Sequence, residues 1–219
     1  LDVTGITSVG DVSIVSAGNL EQSTGIIIAE TLTTTTNNGS TTLTSDNEIT
    51  TFNGSSTTGD IAITDNDGSL VISGITTTTG DTTITAKAGG ITQSGIITTN
   101  VLTTASTGAD TVLTADNVVN SYNGSTTTSG NIQFTDDTGG LHIGATGVDS
   151  AGDVTLISNA GNITQTGTIN AALLTTVSTN GSTTLENTGN TIGSFNGVST
   201  GTGTNDISLI DGGTGGLSI

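Results

Sequence analysis

The chain repeats itself along its whole length. Three segments align almost residue by residue: GDVSIVSAGNLEQSTGIIIAETLTTTTNNGSTTLTSDN from Gly10, GDTTITAKAGGITQSGIITTNVLTTASTGADTVLTADN from Gly80, and GDVTLISNAGNITQTGTINAALLTTVSTNGSTTLENTGN from Gly152. Each runs on to an aromatic-Asn-Gly, at Phe52-Asn53-Gly54, Tyr122-Asn123-Gly124 and Phe195-Asn196-Gly197. The starts lie about 70 residues apart, and Gln22, Gln93 and Gln165 keep step with them. A repeat that fills all 219 residues restricts the chain to stacked architectures.

Within each repeat the period is two. Val12-Ser13-Ile14, Ile61-Ala62-Ile63, Ile132-Gln133-Phe134 and Ile207-Ser208-Leu209 alternate large apolar with small or polar residues, as a strand with one buried face does. Thr, Val and Ile suit a pleated surface. Gly-Asp, Asn-Gly and Gly-Gly pairs supply the turns. Helix formers are scarce, and no amphipathic helical stretch is found.

Composition removes several function classes. One basic residue against 19 acidic ones, a net charge of −18, cannot neutralise a phosphate backbone and is repelled by anionic membrane surfaces. The longest apolar run, Ile26-Ile27-Ile28-Ala29, is far short of the roughly 20 residues that cross a bilayer, so neither nucleic-acid binding nor membrane insertion is expected. There is no Cys, hence no disulfide or thiolate ligand, and one His cannot build a histidine metal cluster. Acidic chains rich in Thr, Ser and Gly are often unfolded. Here the absence of Pro, a mean hydropathy of +0.09 and the alternating Ile, Leu and Val oppose that reading.

Each repeat divides by three at short alternating runs that begin near Leu1, Leu20, Glu48, Leu70, Ile91, Val118, Leu141, Ile163 and Thr191. The expected fold is all-β, a parallel β-solenoid of about nine coils averaging about 24 residues, in which Leu1, Leu70, Leu141 and Leu217 stack three coils apart. The repeats then span residues 1–69, 70–140 and 141–216, with 217–219 opening the next coil. A sandwich needs hairpins, and three propeller blades do not close a ring. No polar or helical cap is visible at either end, and the first residue is not Met. The expectation is an uncapped segment of a longer array, or copies that stack end to end.

GDVTLISNAGNITQTGTI and GDTTITAKAGGITQSGIITTN resemble the repeats of filamentous-haemagglutinin-like giant bacterial surface exoproteins, secreted by two-partner or autotransporter routes. The resemblance covers nearly the whole chain and identifies an architecture more than one protein. It implies a right-handed parallel β-helix outside the cell, serving as a stalk or adhesive fibre. The long Thr runs, Thr33 to Thr36 and Thr76 to Thr79, depart from that pattern.

Candidate chemistry is sparse, and no catalytic, cofactor-binding or metal-ligating residue is assigned. Asp65 with Asp67, and Asp136 with Asp137, are close carboxylate pairs of the kind that hydrolyse glycosides. They recur with Asp211 at equivalent turns, whereas a catalytic pair is normally made once, so the chain is not expected to be an enzyme. Asp65-Asn66-Asp67-Gly68 looks like the opening of a calcium loop, but its counterparts at Asp136 and Asp211 lose the spacing. Gly212-Gly213-Thr214-Gly215-Gly216 lacks the Asp of a calcium roll. Calcium is therefore the one cofactor entertained. A threonine array of the kind that matches an ice lattice breaks where Thr42-Leu43-Thr44 is answered by Val112-Leu113-Thr114 and Thr184-Leu185-Glu186. Phe52, Tyr122 and Phe195 plug the core or form an external row for glycan stacking, the core being favoured. His142 should point outward, and Lys87 looks incidental. The Asn-Gly-Ser triplets at Asn38, Asn53, Asn123 and Asn180 match a glycosylation sequon and are turn signals first. Expected partners are neighbouring coils or copies of the same chain. Host-cell or matrix glycans and proteins would be met through regions outside these residues.

Overall fold

A computed structural model describes residues 1–219. Twenty strands and no helix form one parallel sheet wound into a solenoid of about 10 turns. At about 4.8 Å per turn the rod is roughly 48 Å long. Alternation decides which side chains face the axis. In the strand Ile27–Thr36, Ile27, Ala29, Leu32, Thr34 and Thr36 are buried, and the residues between them are not. Thirty-six buried hydrophobic residues make one continuous core.

Hydrogen-bond register fixes the turn. One ladder of Cα partners runs Leu20, Thr41, Ile61, Thr82, Leu102, Tyr122, Ile143. A second runs Leu70, Ile91, Thr111, Ile132, Val154, Leu174, Phe195. Each step along a ladder is one full turn, from Leu20 to Thr41 in the first and from Leu70 to Ile91 in the second. The chain visits them alternately, Ile61 then Leu70, Thr82 then Ile91, so they lie half a turn apart. A sequence repeat of about 70 residues therefore covers about three and a half turns, not three.

The expected stack of Leu1, Leu70, Leu141 and Leu217 does not form. Leu70 pairs with Ile91 and Leu141 with Ile163, on opposite halves of the turn. The count is about ten turns because each is nearer 21 residues than 24. Both halves of a turn bury alternate residues, so each presents the same period-two pattern, and counting runs cannot separate a half turn from a whole one. Successive copies of any feature consequently appear on alternating sides of the rod.

Glycine marks the tightest corners. A Cβ on Gly59 would come within 2.3 Å of the Gly39 carbonyl carbon, and one on Gly80 within 2.1 Å of the Gly59 carbonyl oxygen. Three successive turns pack backbone on backbone there, closer than any side chain allows.

Candidate functional site

The most organised polar feature is a corner clamp built once per repeat. Where the strand Thr41–Ser56 bends, its register shifts between Leu43 and Asn47, and the strand Thr111–Thr127 does the same between Leu113 and Asn117. A bulge strips ladder bonds from the backbone, and buried peptide groups must find other partners. Asn47, fully buried, supplies them. Its Oδ1 accepts from Ile27 N (2.8 Å) and Gln22 Nε2 (2.7 Å), and its Nδ2 donates to Gln22 Oε1, Leu43 O and Thr64 O, each at 3.1 Å. Asn117 repeats this set with Gln93, Ile97, Leu113 and Thr135. Asn190 repeats it with Gln165, Ile169, Leu185 and Ile210. The glutamine step is plain in the sequence. The asparagine is not among the residues that sequence reasoning singles out, although its signal is there in Asp46-Asn47, Asp116-Asn117 and Gly189-Asn190.

The recurrent aspartates complete the clamp. Asp65, Asp136 and Asp211 sit one rung beyond the asparagines, and each accepts a backbone N–H through Oδ1: Ile49 (2.8 Å), Val119 (3.1 Å) and Ile192 (2.9 Å). Asp65 and Asp136 expose no surface. Burial raises both carboxyls to about 6, with Asp67 and Asp137 adding repulsion and the backbone N–H donors opposing it. Asp65 therefore closes a bulge from the inside, its Oδ2 accepting the Asp67 N–H (3.3 Å), while the Asp67 side chain is exposed. No group of three or more His, Asp or Glu side chains comes together in a way that could hold a metal ion. Asp65 and Asp136 lie on opposite sides of the rod, each beside its own clamp.

The aromatic residues are interior. Phe52 and Tyr122 are fully buried and Phe195 nearly so. Tyr122 stacks on Phe134 with centroids 4.1 Å apart and planes 5° from parallel, and its hydroxyl meets Thr104 Oγ1 at 3.0 Å. The glycine two residues on is part of the same device. A Cβ on Gly54, Gly124 or Gly197 would fall 2.4–2.9 Å from the preceding ring or its hydroxyl. Each ring folds over the space its glycine leaves, so no external aromatic row exists for glycan stacking.

Other candidates are also placed. His142 stands between inward Leu141 and Ile143 and joins Thr164 and Thr166 on the next turn, both at 2.9 Å. Lys87 pairs with Asp46 on the surface. Thr42-Leu43 pairs with Ala62-Ile63, and these with Thr83-Ile84, so the threonine row is interrupted at Ala62. Asn38 and Asn180 are at exposed turns, whereas Asn123 is buried and its Oδ1 accepts the N–H groups of Thr146 and Gly147. The Gly-Asp turns form staircases: Asn19 caps Ser40 N, Ser40 caps Asp60 N, and Asp60 caps Asp81 N. The one cleft, about 580 Å³, lies at the last turn and is lined by Phe195, Ile207, Leu209, Leu217 and Ile219 with no titratable side chain.

No family model, curated protein or solved structure matches the chain. The stacked parallel turns are compatible with β-helix repeat proteins, and the narrower likeness to haemagglutinin-type repeats rests on the sequence motifs.

Proposed function

We propose that these residues form a structural rod: a stalk or fibre segment of a secreted or cell-surface adhesin, giving reach and stiffness for attachment. One observation carries this reading. Parallel pairing continues from the first strand to the last, and the polar cluster that recurs in each repeat is spent on closing a corner. Each turn rests on its two neighbours, so bending the rod strains many backbone hydrogen bonds at once. A net charge of −18 keeps neighbouring rods soluble and apart. Neither catalysis nor a cofactor is part of the reading, and the adhesive contact is assigned to regions beyond these residues.

The test is recovery of the native polypeptide after surface biotinylation, followed by its intact mass. Surface labelling on a chain many times 21.4 kDa, with these residues internal, is the expected result. A labelled chain near 21.4 kDa that runs as a polymer would replace the stalk with a self-assembling filament or sheath subunit. A chain that takes no label inside intact cells would overturn both.

A further inference from the structure

Asp136 is a carboxyl the rod holds without a counter-charge. Its Oδ1 accepts the Val119 N–H, but its buried Oδ2 has no hydrogen-bond partner. Ser158, its Cα partner on the following turn, is equally buried, and its hydroxyl is also unpartnered. From the preceding turn Asn117 faces it, with both amide hydrogens already donated to Gln93, Leu113 and Thr135. The charge acting on it is that of Asp137, of the same sign; Asp116 on the preceding turn is exposed. Lys87, the only basic residue, is exposed and paired with Asp46. Asp65 is the counterpart half a turn out of phase. It differs in that both its oxygens are engaged, Oδ1 by the Ile49 N–H and Oδ2 by the Asp67 N–H (3.3 Å), and its partner on the next turn is Ala86; Asp46, Glu48, Asp67 and Lys87 lie exposed beside it.

We propose that Asp136 is an acid-closed latch: the rod takes up a proton at this buried corner carboxyl and tightens as its surroundings pass from neutral to mildly acidic. A proton on Asp136 Oδ2 removes a charge that has no cation beside it, at an oxygen without a hydrogen-bond partner. It also creates an O–H beside a rung whose serine oxygen is free to accept. The sign follows from linkage. The Asp136 carboxyl is pushed up to about 6 in the rod from 3.8 when exposed in the unfolded chain. The folded state therefore binds protons more tightly, and its stability is greatest below about 4 and declines as pH rises through about 6. Asp136 shifts the folding equilibrium by an amount on the order of a hundredfold across that window. This holds whether the rod is a stalk or a filament.

Thermal melts of the 219-residue chain between pH 7.5 and 4.5 test it. Wild type should melt higher at each step downward. Asp136→Asn should raise the melting temperature at pH 7.5 and flatten the dependence. Asp153→Asn, which removes the same charge from an exposed turn, reports the contribution of net charge alone. If the two variants behave alike, or if wild type melts lower in acid, the latch is wrong. Carboxyl-carbon NMR of the wild type gives a reading independent of any variant's folding. A midpoint near 6 for Asp136 supports the proposal, and one near 4 contradicts it.

Discussion

A single buried asparagine at each corner does what a run of ladder bonds does elsewhere. Removing it takes the side-chain partner from the Ile97 N–H and from the Leu113 and Thr135 carbonyls, leaves the Gln93 amide only its bonds to Gly95 and Ala115, and each buried orphan costs about 1–3 kcal/mol. Asn117→Ala should therefore destabilise the rod by about 3–5 kcal/mol in urea denaturation, whereas exposed Asn120→Ala should stay within about 0.5 kcal/mol. Gly124 tests the other corner device. Its Cβ would stand 2.4 Å from the Tyr122 hydroxyl, so Gly124→Ala should cost about 1–3 kcal/mol by overpacking. Gly10, with nothing within 4 Å and no positive φ, should accept Ala without loss in the same assay. At this scale the sequence was partly legible. Alternation marked Ile14, Ile61 and Ile63 as inward, and aromatic-Asn-Gly stood out as a motif. That its glycine makes room for its own ring, and that Asn47 rather than Asp65 heads the corner, depend on where the chain bends, which alternation does not encode.

Strands here are defined by their partners on the adjacent turns. Strand identity and parallel stacking were readable, because period-two runs separated by glycine turns leave little else. The length of a turn was not readable. Bulges at Leu43/Asn47 and Leu113/Asn117 add residues at corners, and the two halves of a turn look alike in sequence. The half-turn offset has a consequence at this scale. Leu141 is to its repeat what Leu70 is to the one before, so deleting residues 70–140 joins two compatible phases. The shortened chain should fold with the same strand signature in circular dichroism, and its longest dimension in small-angle scattering should fall by roughly 17 Å, about three and a half turns. Deleting only 70–79 should disrupt pairing, because it brings the wrong half of a turn against the strand below.

The whole molecule is a rod whose stiffness comes from repetition and whose charged side chains are, Lys87 apart, acidic. One basic residue against 19 acidic ones makes a phosphate backbone an unfavourable neighbour for this surface. The central claim is that this rod is one continuous parallel stack in which Leu20 meets Thr41 and Leu70 meets Ile91 one full turn later. The absence of native cysteine makes a direct test clean. Thr83 and Thr103 are outward-facing Cα partners on successive turns, and Cα atoms about 4.4–6.8 Å apart are bridged without strain. A Thr83→Cys/Thr103→Cys chain should oxidise to an intramolecular disulfide nearly completely. A Thr83→Cys/Thr107→Cys chain, the pair that the longer turn expected from sequence would bring together, should remain reduced. Oxidation of the second pair in preference to the first would contradict the register and the half-turn arrangement built on it.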